Sequence, residues 1–343
     1  MAENADEKEK KVKINRSPKT VFKPYVAYPV EILLLLPFLL CVRMLPLAAA
    51  SALGGFLGRC IGPKIKESWA ARYNLMRAFP EKSTREIDEI VVDMWDNIGR
   101  TFLEYPHLRS MVTRKQHLTE VVHVERAAAL RDDGMAGIFF SGHFGNWEAS
   151  SVLSNMLDLP MHRVYRYANN PFAEWLFRYY RAKTKGELLP KGLYSMRRMV
   201  EKIRKKEHLA LIIDQKMNTG IAVPFFGRDA MTTPALAHLA LKFDCPAVPV
   251  RIERLEGTHY RLTVEEPLNV KKTGDKEADI YAVLCEMNKT FERWIRDDPK
   301  QWLWLHKRWP DSKEGAKWLY KNRKLWKKDD MPPQVPDFLK QGV

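Results

Sequence analysis

From Arg131 onward, short apolar runs alternate with amphipathic segments, and this alternation restricts the possible folds more than any other feature of the chain. Five runs have the length and composition of β-strands: GIFFSG, HRVYRYA, LALIID, AVPVRIERL and HYRLTVEEPL. Amphipathic stretches with helical spacing lie between or after them, at 146–157, 171–183, 234–242 and 276–296. Because strands that alternate with helices are typical of an α/β fold, we predict a mixed sheet flanked by helices over residues 131–310.

The segment before this domain, residues 63–130, is predicted to be helical. Ser83 and Glu86 form a capping-box pattern at the start of one helix. An apolar stripe at helical spacing follows, made of Ile87, Ile90, Val91, Met94, Ile98 and Phe102. The stripe indicates core packing, and we assign it no function.

Residues 28–62 are strongly apolar, and within residues 30–57 the only formal charges are Glu31 and Arg43. A bilayer span needs about 20 apolar residues, so the length suffices. Pro37, Pro46 and Arg43 interrupt the run, however, so a helix in the membrane interface with a snorkelling Arg43 competes with a true span. A buried hairpin of a soluble core is the third alternative. We expect a membrane anchor or interfacial helical segment.

The two ends of the chain are polar. Residues 1–27 hold many charges and few apolar side chains, which predicts a flexible tail. Residues 311–343 form a basic, aromatic C-terminal tail, in which KEGAKWLYKNRKLWKK places Trp318, Leu319, Leu325 and Trp326 among cations. That composition suits anionic headgroups, and a solvated basic tail is the alternative.

The net charge of +15 and the pI of about 9.5 favour an anionic partner, which charge alone does not identify. Nucleic acid is disfavoured because the sequence has no RNP, KH, zinc-finger or helix-turn-helix signature and begins with an apolar segment. The four cysteines lie far apart without a C-x-x-C pair, which excludes a disulfide framework and a zinc ribbon. We therefore expect a reduced protein that faces the cytosol.

His143 and Glu148 stand close together in SGHFGNWEAS, where the apolar run AGIFF ends. On one continuous helix they would lie about 140° apart, so they meet only if the chain bends. Gly142 and Gly145 permit a bend, and Asn146 is a good helix cap. A carboxylate on one imidazole nitrogen would let the other deprotonate a hydroxyl that attacks a carbonyl. The motif therefore indicates acyl transfer without an enzyme nucleophile, and a purely structural histidine is the alternative.

No third ligand at zinc spacing accompanies His143 and Glu148, so we predict no metal site.

The motifs that surround this pair along the chain are more specific than the pair itself. HFGNWE is followed in order by VYRYANNP, IIDQK, VPFFG and QWLWLHKRW, and preceded by ARYNLMRAFPE. Together these motifs resemble the lipid A late acyltransferases, the lauroyl or myristoyl transferases of Gram-negative bacteria, within the lysophospholipid acyltransferase superfamily. The resemblance runs from about Tyr28 to about Pro310.

The resemblance implies that His143 is the general base and that Glu148 orients it, within an acyltransferase domain at 131–310. Glycerolipid acyltransferases usually carry Asp at the second position and an F-P-E-G-T-R-type block, so Glu148 and VPFFG favour the lipid A branch. The residues it implies for substrate binding are Arg166, Asp214, Gln215, Lys216, Phe226, Gly227 and Arg308.

Several of these residues have a second interpretation. Arg166 suits a phosphate but is otherwise an ordinary surface arginine, and Asp214 either supports catalysis or forms an Asx turn. Phe226 either lines an acyl-chain groove or belongs to the core. Arg308 lies in a basic cluster that suits a phosphate or a Kdo carboxylate, among tryptophans that form either an interface belt or core.

The resemblance further implies acyl-ACP as donor, with acyl-CoA as the alternative, and no cofactor. The implied partners are an acyl carrier protein, a phosphorylated glycolipid acceptor and an anionic membrane surface, at the cytoplasmic face of a bacterial inner membrane. Residues 161–207 hold thirteen Lys and Arg against four Glu, which fits such anionic partners. The alternatives are acylation of another membrane lysophospholipid or glycolipid, a non-catalytic membrane scaffold, and a basic RNA-binding protein.

Overall fold

The computed structural model describes residues 28–114, 118–326, 330–334 and 336, so the predicted tail at 1–27 lies outside the described residues. The helices are α1 (Tyr28–Met44), α2 (Leu47–Ile61), α3 (Ser68–Ala78), α4 (Thr84–Glu104), α5 (Leu108–Arg114), α6 (Val124–Asp132), α7 (Val152–Met156), α8 (Pro171–Arg181), α9 (Leu193–Arg204), α10 (Ala235–Phe243), α11 (Lys276–Asp297), α12 (Ser312–Lys321) and α13 (Arg323–Trp326). The strands are β1 (Leu118–Val122), β2 (Ile138–Ser141), β3 (Met161–Tyr165), β4 (Leu188–Pro190), β5 (His208–Ile212), β6 (Ile221–Phe225), β7 (Arg228–Thr232), β8 (Ala247–Arg254) and β9 (Tyr260–Val264).

The described strands form a seven-stranded sheet in the order β1-β9-β8-β2-β5-β3-β4. Only the β8–β9 pair among them is antiparallel. Every residue of β2 is buried, as expected for a central strand covered on both faces. The predicted mixed sheet flanked by helices is confirmed.

Three elements differ from the predictions. Strand β1 falls inside the segment 63–130 that was predicted to be helical, and it pairs in parallel with β9. The short strand β4 at the opposite edge was also missed. The VPFFG motif forms a separate hairpin of β6 and β7, whose two-residue turn has positive φ angles of 52° at Phe226 and 67° at Gly227. This is the backbone pattern of a type I′ turn.

The N-terminal helices pack onto α4. Gly54 of α2 approaches Gly99 of α4 so closely that an added Cβ would lie 2.3 Å from the Gly99 carbonyl oxygen. Ser83 and Glu86 form the predicted capping box. The stripe on α4 is buried at Ile87, Val91, Met94 and Ile98, whereas Ile90 is half-buried and Phe102 is 62 % exposed. In the part of the chain that the structure describes, no helix has the length and apolar character needed to cross a membrane.

The segment after Pro310 is folded up to Trp326, and this corrects the prediction of a tail at 311–343. Helix α12 packs against α3, with Leu319 buried. Trp326 is buried as well, and its indole N–H donates to Asp88 Oδ2 at 3.2 Å. Neither side chain is available to membrane headgroups.

Candidate active site

His143 and Asp214 meet because β2 and β5 are parallel neighbours in a fixed register. Ser141, the last residue of β2, pairs with Ile212, the last residue of β5. His143 and Asp214 each lie two residues beyond this pair, at the carboxyl ends of the strands. Ligand sites of open α/β sheets commonly lie at this edge.

The Asp214 carboxylate holds both the side chain and the backbone of His143. Its Oδ1 lies 2.8 Å from the imidazole Nδ1, and its Oδ2 accepts the His143 backbone N–H at 2.8 Å. Oδ2 also accepts the indole N–H of Trp302 at 2.8 Å. Burial favours the neutral acid, but the charge and hydrogen bonds of His143 hold the pKa of Asp214 well below its usual range. Asp214 is thus a fixed anion beneath the imidazole.

The predicted contact of Glu148 with the imidazole is wrong in this structure. Arg181, the last residue of α8, donates to both oxygens of Glu148, with Nε 3.0 Å from Oε2. Burial lowers the pKa of His143, but Asp214, and after it Glu148, raise this pKa above its ordinary value. Glu148 therefore acts on His143 through its charge, and Asp214 is the carboxylate in contact.

Gln215 and His306 lie at the other nitrogen of the imidazole. The Gln215 Nε2 is 3.3 Å from His143 Nε2 and 2.9 Å from His306 Nε2. Burial lowers the pKa of His306 to about 4, so this ring is neutral at physiological pH. The Trp147 ring lies 5.2 Å from that of His143, between centroids. Gln215 is thus placed at the imidazole.

Two other predicted substrate-binding residues belong to the framework. Arg308 is 1 % exposed and donates to the Met231 carbonyl, Thr232 Oγ1 and Asn288 Oδ1, so its prediction as a substrate-binding residue is wrong. Phe226 is buried in the core, where its ring packs edge-on against Phe79. The neighbouring tryptophans are buried too, so they belong to the core and not to an interface belt: Trp302, Trp304 and Trp309.

Gly227 supplies the hairpin turn described above. Arg166 lies exposed just past β3, and Lys216 is half-buried just past Gln215. Both positions are at the same edge of the sheet as His143. Their roles in substrate binding stay predictions.

A cavity of about 100 Å³ adjoins Glu148 on one face of the sheet. Its polar lining includes Ser141, Arg163, Tyr165 and Arg181, and its apolar lining includes Phe139, Leu153, Met161 and Val250. Burial lowers the pKa of Arg163 to about 10, which leaves it charged at neutral pH. Neither Arg163 nor Arg181 was predicted as a site residue from the sequence. Arg163 could have been predicted, because it stands in the same predicted strand as Arg166. Its side chain points to the same face of the strand as that of Met161, which also lines the cavity.

The turn of the HFGNWE motif forms as predicted. Gly145 has a φ of 49°, and a Cβ on Gly142 would lie 2.9 Å from Asp214 Oδ2. Asn146 caps the following turns by accepting the backbone N–H groups of Glu148 and Ala149 at 3.2 and 3.3 Å. Its Nδ2 donates to Glu104 Oε2 at 2.6 Å. The two glycines therefore allow the bend, and Asn146 fastens it to α4.

This arrangement matches the requirements of a general base. A buried carboxylate bonds Nδ1, which favours the tautomer with its proton on Nδ1 and its lone pair on Nε2, where a hydroxyl would take the place of the Gln215 amide. The His143 side chain is 17 % exposed, and Nε2 is the ring nitrogen on the side away from the Asp214 carboxylate. Among the described residues no group of three His, Cys, Asp or Glu side chains is arranged to hold a metal ion.

Comparison with known proteins identifies the family of the chain. The sequence model of the family described as bacterial lipid A biosynthesis acyltransferase matches residues 19–311. The lipid A biosynthesis lauroyltransferase of Escherichia coli is 26 % identical over 71 % of this chain and 79 % of its own length. The palmitoleoyltransferase of the same organism is 24 % identical over 80 % and 90 % of the two chains. A lipid A biosynthesis acyltransferase of Haemophilus influenzae is 22 % identical over 78 % and 84 %. The chain belongs to the bacterial lipid A biosynthesis acyltransferase family.

Proposed function

We propose that this protein transfers a fatty acyl chain from acyl-ACP to a hydroxyl group of a lipid A precursor, with His143 as the general base. One observation carries the proposal beyond family membership. The imidazole of His143 is bonded at Nδ1 to the buried Asp214 carboxylate, while the side chain stays partly exposed at the carboxyl edge of the sheet. Acyl-CoA is the alternative donor.

In the proposed reaction, the acceptor hydroxyl transfers its proton to His143 Nε2 as its oxygen attacks the thioester carbonyl carbon. The imidazolium formed is stabilised by the Asp214 carboxylate at Nδ1, 2.8 Å away. The C–S bond then breaks, and the thiolate leaves with the proton from Nε2. Glu148, paired with Arg181, adds a second negative charge that favours the imidazolium.

The proposed partners are anionic. The thirteen Lys and Arg of residues 161–207 begin in β3, whose carboxyl end lies at the same edge of the sheet as His143. A phosphorylated glycolipid and the acidic surface of an acyl carrier protein both suit such a cluster. We assign the exposed Arg166 to the acceptor phosphate, because a guanidinium binds phosphate in a bidentate manner.

We further propose that the protein works at the cytoplasmic face of a bacterial inner membrane. Helix α1 exposes many large apolar side chains, including Leu33, Leu34, Phe38 and Met44, and α2 adds Leu53 and Phe56. Contiguous apolar surface of this kind marks an interaction site. A helix that lies in the membrane interface satisfies this exposure without crossing the bilayer.

Mass spectrometry of lipids from cells that lack the gene tests the function. We expect lipid A to lose one acyl chain, and the wild-type gene to restore it. The His143→Ala variant should not restore it, because a general base contributes about 10²- to 10⁴-fold in rate. His238→Ala is the matched control, since His238 is an exposed histidine of α10 and should restore the chain.

Two results would contradict the proposal in different ways. If another phospholipid or glycolipid loses a chain while lipid A is unchanged, the chemistry holds and the acceptor is wrong. If His143→Ala restores the lipid as well as His238→Ala does, His143 is not the base.

A further inference from the structure

Helix α8 lies beside α1, and the two helices run in the same direction. At their first turns, Asn170 Nδ2 donates to the Tyr28 carbonyl at 3.2 Å and to Glu31 Oε2 at 3.0 Å. At their last turns, Arg43 of α1 lies within electrostatic range of Tyr180 of α8. The two helices therefore form one surface of the protein.

The outer face of α8 is aromatic. Phe172, Trp175 and Tyr179 recur at helical spacing and are 49 %, 63 % and 47 % exposed. The inner face is apolar too, with Leu176 and Tyr180 buried. A helix on the surface of a soluble protein usually has a polar outer face, and one that is apolar all round is normally covered on every side. Among the residues that the structure describes, none covers the outer face of α8.

This aromatic face continues the apolar surface of α1, and its chemistry fits a lipid bilayer. Aromatic side chains are enriched at membrane interfaces, where cations meet anionic headgroups. Arg178 is exposed on the same helix, and the Arg109 guanidinium lies 4.3 Å from the centre of the Tyr179 ring. A soluble protein partner would not explain why the face adjoins the exposed leucines of α1.

Helix α8 also ends at the active site. Its last residue, Arg181, holds the Glu148 carboxylate and lines the cavity beside it. One side of the helix therefore faces solvent with aromatic rings, while its C-terminal end contributes to the site.

We propose that α8 is a second membrane-contacting helix, which inserts Phe172, Trp175 and Tyr179 into the lipid interface and holds the active site against the bilayer. This inference rests on the proposed action at a membrane. The acceptor lipid then reaches Glu148 and His143 from the bilayer along α8, without leaving the interface. Helix α8 therefore affects the rate of transfer to acceptors embedded in a membrane, but not the chemical step itself.

The test uses the full-length protein with Phe172, Trp175 and Tyr179 all changed to Ser. Its control carries Tyr194→Ser and Tyr281→Ser, because both tyrosines are exposed outside the α1–α8 surface. Partitioning is measured by titration with vesicles of phosphatidylethanolamine and phosphatidylglycerol. We expect partitioning of the triple variant to fall about ten-fold or more, and that of the control to match wild type. A Trp175→Phe variant should show less fluorescence quenching by brominated lipid than wild type.

Activity separates this inference from the proposed function. Transfer to an acceptor embedded in vesicles should fall with the partitioning, while transfer to the same acceptor in detergent micelles should change less than about two-fold. Unchanged partitioning of the triple variant together with unchanged quenching in Trp175→Phe would overturn the inference. A triple variant that loses self-association but not partitioning would also overturn it, and would assign the aromatic face to contact with a second copy of the chain. If partitioning falls but wild type transfers no acyl chain in either format, the docking surface stands and the proposed function fails.

Discussion

Replacing Asp214 by asparagine is expected to lower the rate of acyl transfer by about 10³- to 10⁴-fold without unfolding the protein. A neutral amide in place of the corresponding carboxylate lowers kcat by about 10⁴-fold in catalytic triads, chiefly because it fixes the wrong imidazole tautomer. The contacts of Asp214 lead to the same expectation for this protein.

The reason lies in the two donors that point at Oδ2. This oxygen accepts the backbone N–H of His143 and the indole N–H of Trp302. An asparagine has only one acceptor oxygen, which must take this position, so its NH₂ group faces the imidazole Nδ1. The NH₂ group then donates to Nδ1 and leaves the imidazole proton on Nε2. A histidine in that tautomer has no lone pair at Nε2 to accept the proton of a hydroxyl.

The pH dependence supplies an independent readout. Burial lowers the pKa of His143, while the charges of Asp214 and then Glu148 raise it above the ordinary value. A general base must be unprotonated, so the rate of wild type falls as the pH drops through this raised pKa. In Asp214→Asn the effect of burial on the pKa of His143 prevails, and the acidic limb of kcat/KM should move to lower pH. Glu148→Gln should move it in the same direction by less.

Asp244→Asn serves as the matched control, because Asp244 is an exposed aspartate paired with Lys272. It should leave both the rate and the acidic limb unchanged, and circular dichroism checks that all variants are folded. A larger shift in Glu148→Gln than in Asp214→Asn would reverse the assignment and return Glu148 to the role that the sequence motif suggests. A rate for Asp214→Asn within about ten-fold of wild type would exclude Asp214 as the group that orients the base.

The motif around His143 shows what the sequence can and cannot predict. The bend at Gly142 and Gly145 and the cap at Asn146 depend on neighbouring residues, so local rules identify them. The partner of the imidazole depends on the alignment of β2 with β5, which brings together residues separated by 71 positions. A short motif contains no information on that register, and for this reason it favoured Glu148, the nearest carboxylate along the chain.

The same distinction applies to the fold. Central strands such as β2 and β8 are long or fully buried, so their apolar runs are easily found. Strand β4 has three residues, and β1 reads LTEVV within a helix-rich region, so neither has a distinctive pattern. Arg308 was misassigned because a basic residue near the end of the domain usually lies at the surface. Its burial depends on acceptors from β7 and α11, which local sequence does not reveal.

The largest effect on stability is expected from Glu104, a fully buried carboxylate on α4. It accepts hydrogen bonds from the Arg254 guanidinium, Asn146, Ser51 and the Tyr260 hydroxyl. Changing Glu104 to Gln leaves the Arg254 charge buried without its counter-ion. Loss of one member of a buried ion pair costs about 3–5 kcal/mol in the free energy of unfolding. We therefore expect the thermal midpoint to fall by about 4–7 °C.

The stabilisation that the Glu104–Arg254 ion pair provides should decrease in acid. Burial favours the protonated form of Glu104, but Arg254 and the hydrogen bonds hold its pKa below the ordinary value in the folded state. The ion pair therefore stabilises the fold above the ordinary carboxylate pKa, and this stabilisation is lost as the pH falls through the lowered one. The difference in stability between wild type and Glu104→Gln should accordingly narrow in acid.

Glu89→Gln is the matched control, because Glu89 lies on the same helix and pairs with Arg85 at the exposed surface. An exposed pair of this kind contributes about 0.5 kcal/mol or less, so the midpoint should scarcely move. Adding Arg254→Met to Glu104→Gln should cost less than the sum of the two single changes, because the second change removes the unpaired charge. Additive costs would show that the two side chains do not stabilise the fold as a pair.

Glu104 also connects α2 to the turn that carries His143. Ser51 of α2 donates to one of its oxygens, and Asn146 of the HFGNWE turn donates to the other. The folded fraction of Glu104→Gln should thus lose activity beyond its loss of stability, because one of the contacts that hold Asn146 is weakened. If activity per folded molecule equals that of wild type, the network stabilises the fold without positioning His143. A loss that is larger with vesicle-embedded acceptor than with micellar acceptor would show that the same carboxylate aligns the base with the membrane surface.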